Sequence, residues 1–460
     1  KHAKKSFAAA WDSQFGSWEY QAVMNQEKGT EIIVDWEDKT SVRMSAAQLY
    51  EIIFDGNNKW MLSANGTIFT YEYEAIIPGL LKRWYAERQE MQQKMRDCGD
   101  NEIEREYWDK RQLVKKINLN SLYGAILNPG CRFFDIRIGQ SVTLTGRCIT
   151  KHMASKVNEI VAGKYDHKGE SVVYGDTDSV YFTAHKTLKK EIDDGVIPWT
   201  KESVVALYDK ISDEVNSSFK AFMTKAFHTP STRGEVIAAG RELVASKGLF
   251  ITKKRYAVLY YDKEGTRTDT EGKEGKMKAM GLDLKRSDTP VFVQDFLSDL
   301  LYMVLTGKTE IEVLEKISEF RAEFKARPGW EKGSPKRANN MTKYTEEEEK
   351  KGKTNMPGHV RASMNWNKCR EMYGDKYSMP ITDGAKVIVC KLKSNPLNYT
   401  SIAYPIDELR IPEWFKELPF DGDAMESTIL DQKIDNLIGV LGWDVQSTET
   451  TNTFNKLFEF

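Results

Sequence analysis

Cysteine is scarce in this sequence. There are five in 460 residues (Cys98, Cys131, Cys148, Cys369 and Cys390), an odd number with no C-x-x-C spacing. This argues against a disulfide framework and a structural zinc site, and fits a reducing, cytoplasmic compartment. Histidine is also rare: the six residues form no H-x-x-x-H pair, so each is expected to be packed or at the surface rather than on a metal. No apolar run approaches the length of a bilayer-crossing helix, and no membrane partner is expected. Charge of one sign is missing too: 67 Lys and Arg against 68 Asp and Glu leave a net charge of -1. A protein that simply coats nucleic acid would be strongly basic, so any such contact must come from local patches. The start, Lys1-His2-Ala3-Lys4-Lys5, has neither an initiator methionine nor a signal-type apolar core, which predicts a chain cut from something longer or processed.

A chain of 460 residues exceeds what one core organises, so two or three lobes are expected. Hydrophobic content of 40% with 29% charged residues is that of a globular chain rather than a disordered one. Residues 1–75 alternate β-prone runs such as Glu31-Ile32-Ile33-Val34 with polar turns, ending near Asn65-Gly66, and predict an appendage of a sheet. Pro78 opens a helical pattern through Leu80, Trp84, Met91 and Met95 that stops at Asp97-Cys98-Gly99-Asp100. A second helix, 103–123, is predicted to end at Gly124 before Asn128-Pro129-Gly130, making an antiparallel helical hairpin. Strand runs follow at 171–174, 180–183 and 255–261. Thr289-Pro290 predicts a cap and first turn for a helix through Leu305, and the remainder reads as mostly helical. The run Glu346 to Glu349 is a solvated face or loop, and no internal repeat is present.

The sharpest motif is Tyr174-Gly175-Asp176-Thr177-Asp178-Ser179, set between two β-prone runs. It predicts a hairpin with two aspartates at its tip, both facing one side because residues two apart on a strand share a face. Paired hard carboxylate oxygens suit Mg²⁺, although a bare D-x-D at a turn is common. On the second helix, Lys116, Asn120 and Tyr123 fall at i, i+4 and i+7 within Lys115-Lys116-Ile117-Asn118-Leu119-Asn120-Ser121-Leu122-Tyr123-Gly124, placing an ammonium, an amide and a phenol on one stripe.

These two strings, in this order, resemble the C and B motifs of family B DNA polymerases, of the large tailed-phage branch. The resemblance implies an α+β fold: a palm with an antiparallel sheet, a two-helix fingers lobe and a mainly helical thumb. The expected division is a palm-associated segment at 1–75, fingers at 76–127, palm at 128–281 and thumb at 282–460. It also implies template-directed DNA polymerisation in viral replication, with two Mg²⁺ ions on Asp176 and Asp178. Lys116 and Asn120 would contact the incoming dNTP, with Tyr123 near the nascent base pair. Arg88 fits the first cation of the family's R-x-x-x-K on the first fingers helix, but the fourth residue on is Gln92, and Lys94 lies on another face. Lys253-Lys254-Arg255-Tyr256 resembles the K-K-R-Y segment that meets primer-template phosphates, and Lys278 and Gly281 match the palm-thumb junction. Tyr174 and Gly175 are expected beside the DNA as well. The tail from Thr453 to Phe460 carries Phe454, Leu457, Phe458 and Phe460, and resembles the segment by which phage polymerases dock on a sliding clamp.

The family's first palm motif, D-x-x-S-L-Y-P-S, does not occur in the sequence, and neither does the exonuclease domain that would precede it. The resemblance therefore predicts a split or truncated enzyme, inactive without a separate N-terminal polypeptide. A purely DNA- and clamp-binding subunit is disfavoured by the intact aspartate pair. Reverse transcription is disfavoured by the residues around that pair and by the two-helix fingers pattern.

Overall fold

The computed structural model describes residues 31–35, 39–45, 47, 48, 51, 59–65, 67–270, 272–351, 355–443 and 445. The expected clamp-docking residues Phe454, Leu457, Phe458 and Phe460 lie outside the described residues. The fold is α+β, and the chain divides into two units, Lys1–Arg241 and Glu242–Phe460. The stretch 128–281, expected to form one lobe, contributes to both.

In the first unit, the β-prone N-terminal runs form two antiparallel hairpins: β1 (Glu31–Asp35) with β2 (Ser41–Ser45), and β3 (Trp60–Leu62) with β4 (Ile68–Thr70). The β3–β4 turn is moored on the stretch 137–145. Ala64 N donates to Thr145 Oγ1 at 3.1 Å and Asn65 Nδ2 to Arg137 O at 3.2 Å.

Two long helices follow, α1 (Ile76–Asp97) and α2 (Glu102–Ile126). Pro78 lies in the first turn of α1, where its missing N–H leaves no hydrogen bond unmade. Asn101 starts α2 by accepting from Glu104 N at 3.2 Å, and the first-turn acids Glu102 and Glu104 favour the positive end of the helix. No residue of α1 is buried and only Ile126 of α2 is, so the helical hairpin is largely solvated. Gly124 does not end α2, which runs on to Ile126. A helical glycine costs only about 1 kcal/mol relative to alanine, and on either side of it Tyr123 is tied by its hydroxyl to Gly139 O while Ile126 is buried.

Helix α3 (Ile136–Ala162) is capped by Asp135, whose carboxylate accepts from Arg137 N at 2.8 Å and pairs with the Arg137 side chain; those contacts hold its pKa down at about 2. It ends at Gly163 in the left-handed region. Its inner face meets α4 (Lys201–Phe227) and a two-stranded antiparallel sheet of β5 (Val172–Asp176) and β6 (Ser179–Phe182). Val157, Ile211, Val215 and Phe219 make the core between them. Phe219 and Phe222 are fully buried, each contributing roughly 2–3 kcal/mol. His152 is packed, as expected for an isolated histidine. Its ring stacks on Phe222 at 3.9 Å, with Nδ1 2.7 Å from Tyr165 Oη and Nε2 2.9 Å from Ser218 Oγ.

In the second unit, β7 (Leu243–Thr252), β8 (Arg255–Lys263), β9 (Thr266–Arg267) and β10 (Lys276–Met280) form an antiparallel sheet with β8 between β7 and β10. It packs with α5 (Val291–Thr306) and α6 (Glu310–Ala326), where Phe296 stacks on Phe320 at 3.8 Å. Thr289 does not cap α5: Pro290 occupies the cap position, while Thr289 Oγ1 donates to Asp283 O and accepts from Lys433 Nζ.

The stretch after α6 is not helical alone. An antiparallel sheet of β11 (Ser334–Arg337), β12 (Lys386–Lys391) and β13 (Ser401–Pro405) shares a core with α8 (Gly358–Met372), built around the buried Trp366. Glu346 to Glu349 lie on α7 (Met341–Lys351), and the chain re-enters the second core through α9 (Gln432–Ile438).

Candidate active site and cationic turn

Asp176 ends β5 and pairs with Ser179, which starts β6, so Thr177 and Asp178 form a two-residue turn. Strand alternation does not extend to Asp178, which lies in the turn. What brings the carboxylates to one tip is the turn itself: Thr177 has φ 45°, and Asp178 N reaches back to Asp176 O at 2.5 Å. Ser179 Oγ also donates to Asp176 O at 3.2 Å. From outside the hairpin, Thr150 of α3 donates its hydroxyl to Thr177 O at 2.6 Å. Thr150 lies 27 residues upstream with no local motif, and only the fold reveals it.

Asp176 is half-buried and Asp178 exposed, and neither has an ion-pair partner among the described residues. Thr177 Oγ1 donates to Asp176 Oδ1 at 3.2 Å. Two neighbouring carboxylates without a compensating cation repel one another and favour a bound cation with hard-ligand preference, so the donor set fits Mg²⁺. No cluster of three His, Cys, Asp or Glu with metal-site geometry occurs among the described residues. Tyr174 and Gly175 precede the aspartates on β5. Tyr174 is half-buried against Tyr181, and a Cβ on Gly175 would meet only Ser179 O at 3.6 Å, ordinary contact. Nothing among the described residues therefore requires glycine there.

On the helical hairpin, Lys116 and Asn120 are exposed on α2 one turn apart. Tyr123 is half-buried, its Oη donating to Gly139 O of α3 at 3.3 Å. Lys115, the neighbour of Lys116, is drawn across to α1, paired with Glu87 and lying 5.7 Å over the Trp84 ring. Lys116 has no ion-pair partner among the described residues. Arg88 on α1 donates Nε to Gln112 Oε1 of α2 at 3.2 Å. Gln112 therefore marks the level of Arg88, one helical turn, about 6 Å, from Lys116 along α2.

Lys253, Lys254, Arg255, Tyr256 and Lys278 all belong to the second unit. Thr252 pairs with Arg255, so Lys253 and Lys254 form a two-residue turn with Lys254 at φ 61°, and both are exposed. Tyr256 is buried and stacks on Phe250 at 5.4 Å. Arg255 turns into the unit, 3.5 Å from Asp283 and donating to Asn436 O at 3.3 Å. Of the four-residue segment, two lysines face solvent, while the arginine and tyrosine hold the strand. Asp283 was not legible as the arginine's anchor because it lies on a separate turn, 28 positions on. Lys278 pairs with Glu242 at 2.7 Å. Gly281, at φ 62°, follows β10, and a Cβ there would run into the Lys254 carbonyl, so the β10 end lies directly against the lysine turn.

Residues 32–226 match the model of the family described as DNA polymerase family B. The DNA-directed DNA polymerase of Escherichia phage RB69 is 32% identical over 307 residues, covering 64% of this chain and 33% of that protein. That of Enterobacteria phage T4 is 29% identical over 309 residues, with the same coverage of 64% and 33%. The DNA polymerase delta catalytic subunit of Oryza sativa subsp. japonica is 28% identical over 237 residues, 51% of this chain and 18% of that protein. The chain spans about a third of the length of the phage relatives it matches.

Proposed function

From a chain that is in part a phage-type family B DNA polymerase, we propose template-directed addition of deoxynucleotides to a primer terminus, in viral DNA replication. The observation that carries the reading is the Asp176-Thr177-Asp178 turn, two carboxylates on one braced hairpin tip with no ion-pair partner among the described residues. Asp176 and Asp178 would hold two Mg²⁺ ions, with Asp178 touching both. Bound there, magnesium would make the primer 3′-hydroxyl nucleophilic and neutralise the leaving pyrophosphate.

The chain's own side chains do the rest. Lys116 and Arg88 would take charge from the triphosphate, and Asn120 would donate to it; such fixed donors are where much of phosphoryl-transfer catalysis originates. Tyr123, tethered by its hydroxyl, would present its ring to the nascent pair. Lys253, Lys254 and Lys278 would meet primer-template phosphates, beside Tyr174 and Gly175, with Arg255 and Tyr256 supporting the turn. A purely DNA-gripping role has no use for two adjacent unpaired carboxylates.

Magnesium takes more oxygen ligands than one turn supplies. The reading therefore includes a further carboxylate from a separate polypeptide carrying the first palm motif and an exonuclease domain. It also includes docking of Phe454, Leu457, Phe458 and Phe460 on a sliding clamp.

The test is primer extension under Mg²⁺ by residues 1–460, with and without a polypeptide bearing a D-x-x-S-L-Y-P-S segment. Extension only in the mixture is expected. Robust extension by the chain alone would remove the second polypeptide from the account, and no extension in the mixture would remove the polymerase reading.

A further inference from the structure

Half of the cations on the helical hairpin are spent in local ion pairs. Lys82 pairs with Glu74, Lys94 with Glu90, Lys110 with Glu106, and both Arg83 and Lys115 with Glu87. Two arginines are held by neutral amides instead: Arg96 by its own-helix neighbour Gln93, and Arg88 by Gln112 of the other helix, through Nε alone, at 3.2 Å. Gln112 is itself oriented, since its Nε2 donates to Asp109 Oδ1 at 2.9 Å, which leaves Oε1 pointing at Arg88. The three residues form a chain from one turn of α2 across to α1.

We propose that Gln112, fixed by Asp109, is a positioning residue that aims the Arg88 guanidinium at the triphosphate without neutralising it. The inference rests on the nucleotide-binding role proposed for Arg88 above. A carboxylate at position 112 would hold the arginine equally well but cancel its charge, and a methionine would leave it unaimed. A neutral acceptor such as the amide does both tasks. The arrangement also answers the missing second cation: with Gln92 where the family pattern has a lysine, Arg88 is the only cation of that pair on α1, and its direction matters correspondingly more.

The experiment is a double-mutant cycle on dATP affinity, measured with the full chain on a primer-template whose templating base is dT. Arg88→Ala is expected to weaken dATP binding about tenfold and Gln112→Met about three- to fivefold, as for charged and neutral hydrogen bonds respectively. The double variant should bind no more weakly than Arg88→Ala, because Gln112 acts only through the arginine. Gln112→Glu, which keeps the hydrogen bond, should bind dATP more weakly than Gln112→Met. Unchanged affinity in Gln112→Met, or additive losses in the double variant, overturns the positioning role while leaving the Arg88 contact standing. Unchanged affinity in Arg88→Ala overturns the nucleotide-site reading beneath it, and this proposal with it.

Discussion

Thr150 Oγ1 donates to the main-chain carbonyl of Thr177 at 2.6 Å, tying helix α3 to the turn between the two candidate metal ligands. The turn has an uncommon backbone, with Thr177 in the left-handed region, and the bond from α3 fixes it from outside the hairpin. Thr150→Val should therefore slow nucleotide incorporation by about ten- to a hundredfold, the scale of a small misplacement of reacting groups. Affinity for dNTP should change little, and Thr150→Ser should restore the rate. Single-turnover kinetics on the three proteins, each with the polypeptide bearing the first palm motif, separates these quantities.

Lys116→Ala should lower kcat/KM for dNTP by about ten- to a hundredfold, the range expected for a hydrogen bond to a charged group. Lys115→Ala should have a much smaller effect, since that ammonium is already paired with Glu87. Steady-state incorporation at varied dNTP in the presence of the polypeptide bearing the first palm motif, alongside primer-template affinity, checks this. A loss confined to DNA affinity would move Lys116 from the nucleotide to the duplex.

Gly281→Ala should weaken both the second unit and its grip on DNA. The residue has φ 62°, and an added Cβ would collide with the Lys254 carbonyl, so the lysine turn must shift. A cost of about 1–3 kcal/mol is expected from backbone strain of this kind. Thermal unfolding and primer-template binding at varied salt should both report it, with a shallower salt dependence if Lys253 or Lys254 is displaced from phosphate.

Burial of His152, with the nearby Lys156 adding to it, lowers its pKa to about 3. The unfolded chain takes up this proton near pH 6.5, whereas the folded chain does not until about pH 3. Stability is therefore fully present above pH 6.5 and falls as pH drops towards 3, by at most about 1.4 kcal/mol per pH unit from this one group. Denaturant unfolding between pH 7 and pH 4.5 should show this slope, and His152→Gln, which cannot titrate, should flatten it while lowering stability at pH 7. Parallel pH profiles for both proteins would assign the slope to other groups.

The strands flanking the aspartates and the helical hairpin were legible because their signals are local: β-branched runs around a turn, and helical spacing bounded by Pro78 and the Gly99 region. Local signals also misled. Gly124 reads as a stop, yet the Tyr123 hydroxyl bond before it and the burial of Ile126 after it carry α2 through. Thr289 reads as a cap, yet its hydroxyl is taken by Asp283 and Lys433, one 6 and the other 144 positions away in sequence. The run Lys386–Lys391 is strongly β-prone, but its partners lie about 50 residues before it and 14 after it, so the sheet was hidden inside an apparently helical stretch. In the candidate site, the motif residues themselves were visible, while Thr150, Gln112 and Asp283 depend on contacts between elements. The motif also overstated its own uniformity: of Lys253, Lys254, Arg255 and Tyr256, only the two lysines face outward.

The central claim is that the Asp176-Thr177-Asp178 turn is the metal-binding tip of a nucleotide-adding site. Its most direct test is single-nucleotide incorporation under Mg²⁺ by the chain together with the polypeptide bearing the first palm motif, comparing the unaltered protein with Asp178→Ala and measuring primer-template affinity on both. The account predicts that incorporation falls to background in the variant while DNA affinity is retained, because a metal ligand is lost and the duplex contacts are not. Near-normal incorporation by Asp178→Ala would contradict it.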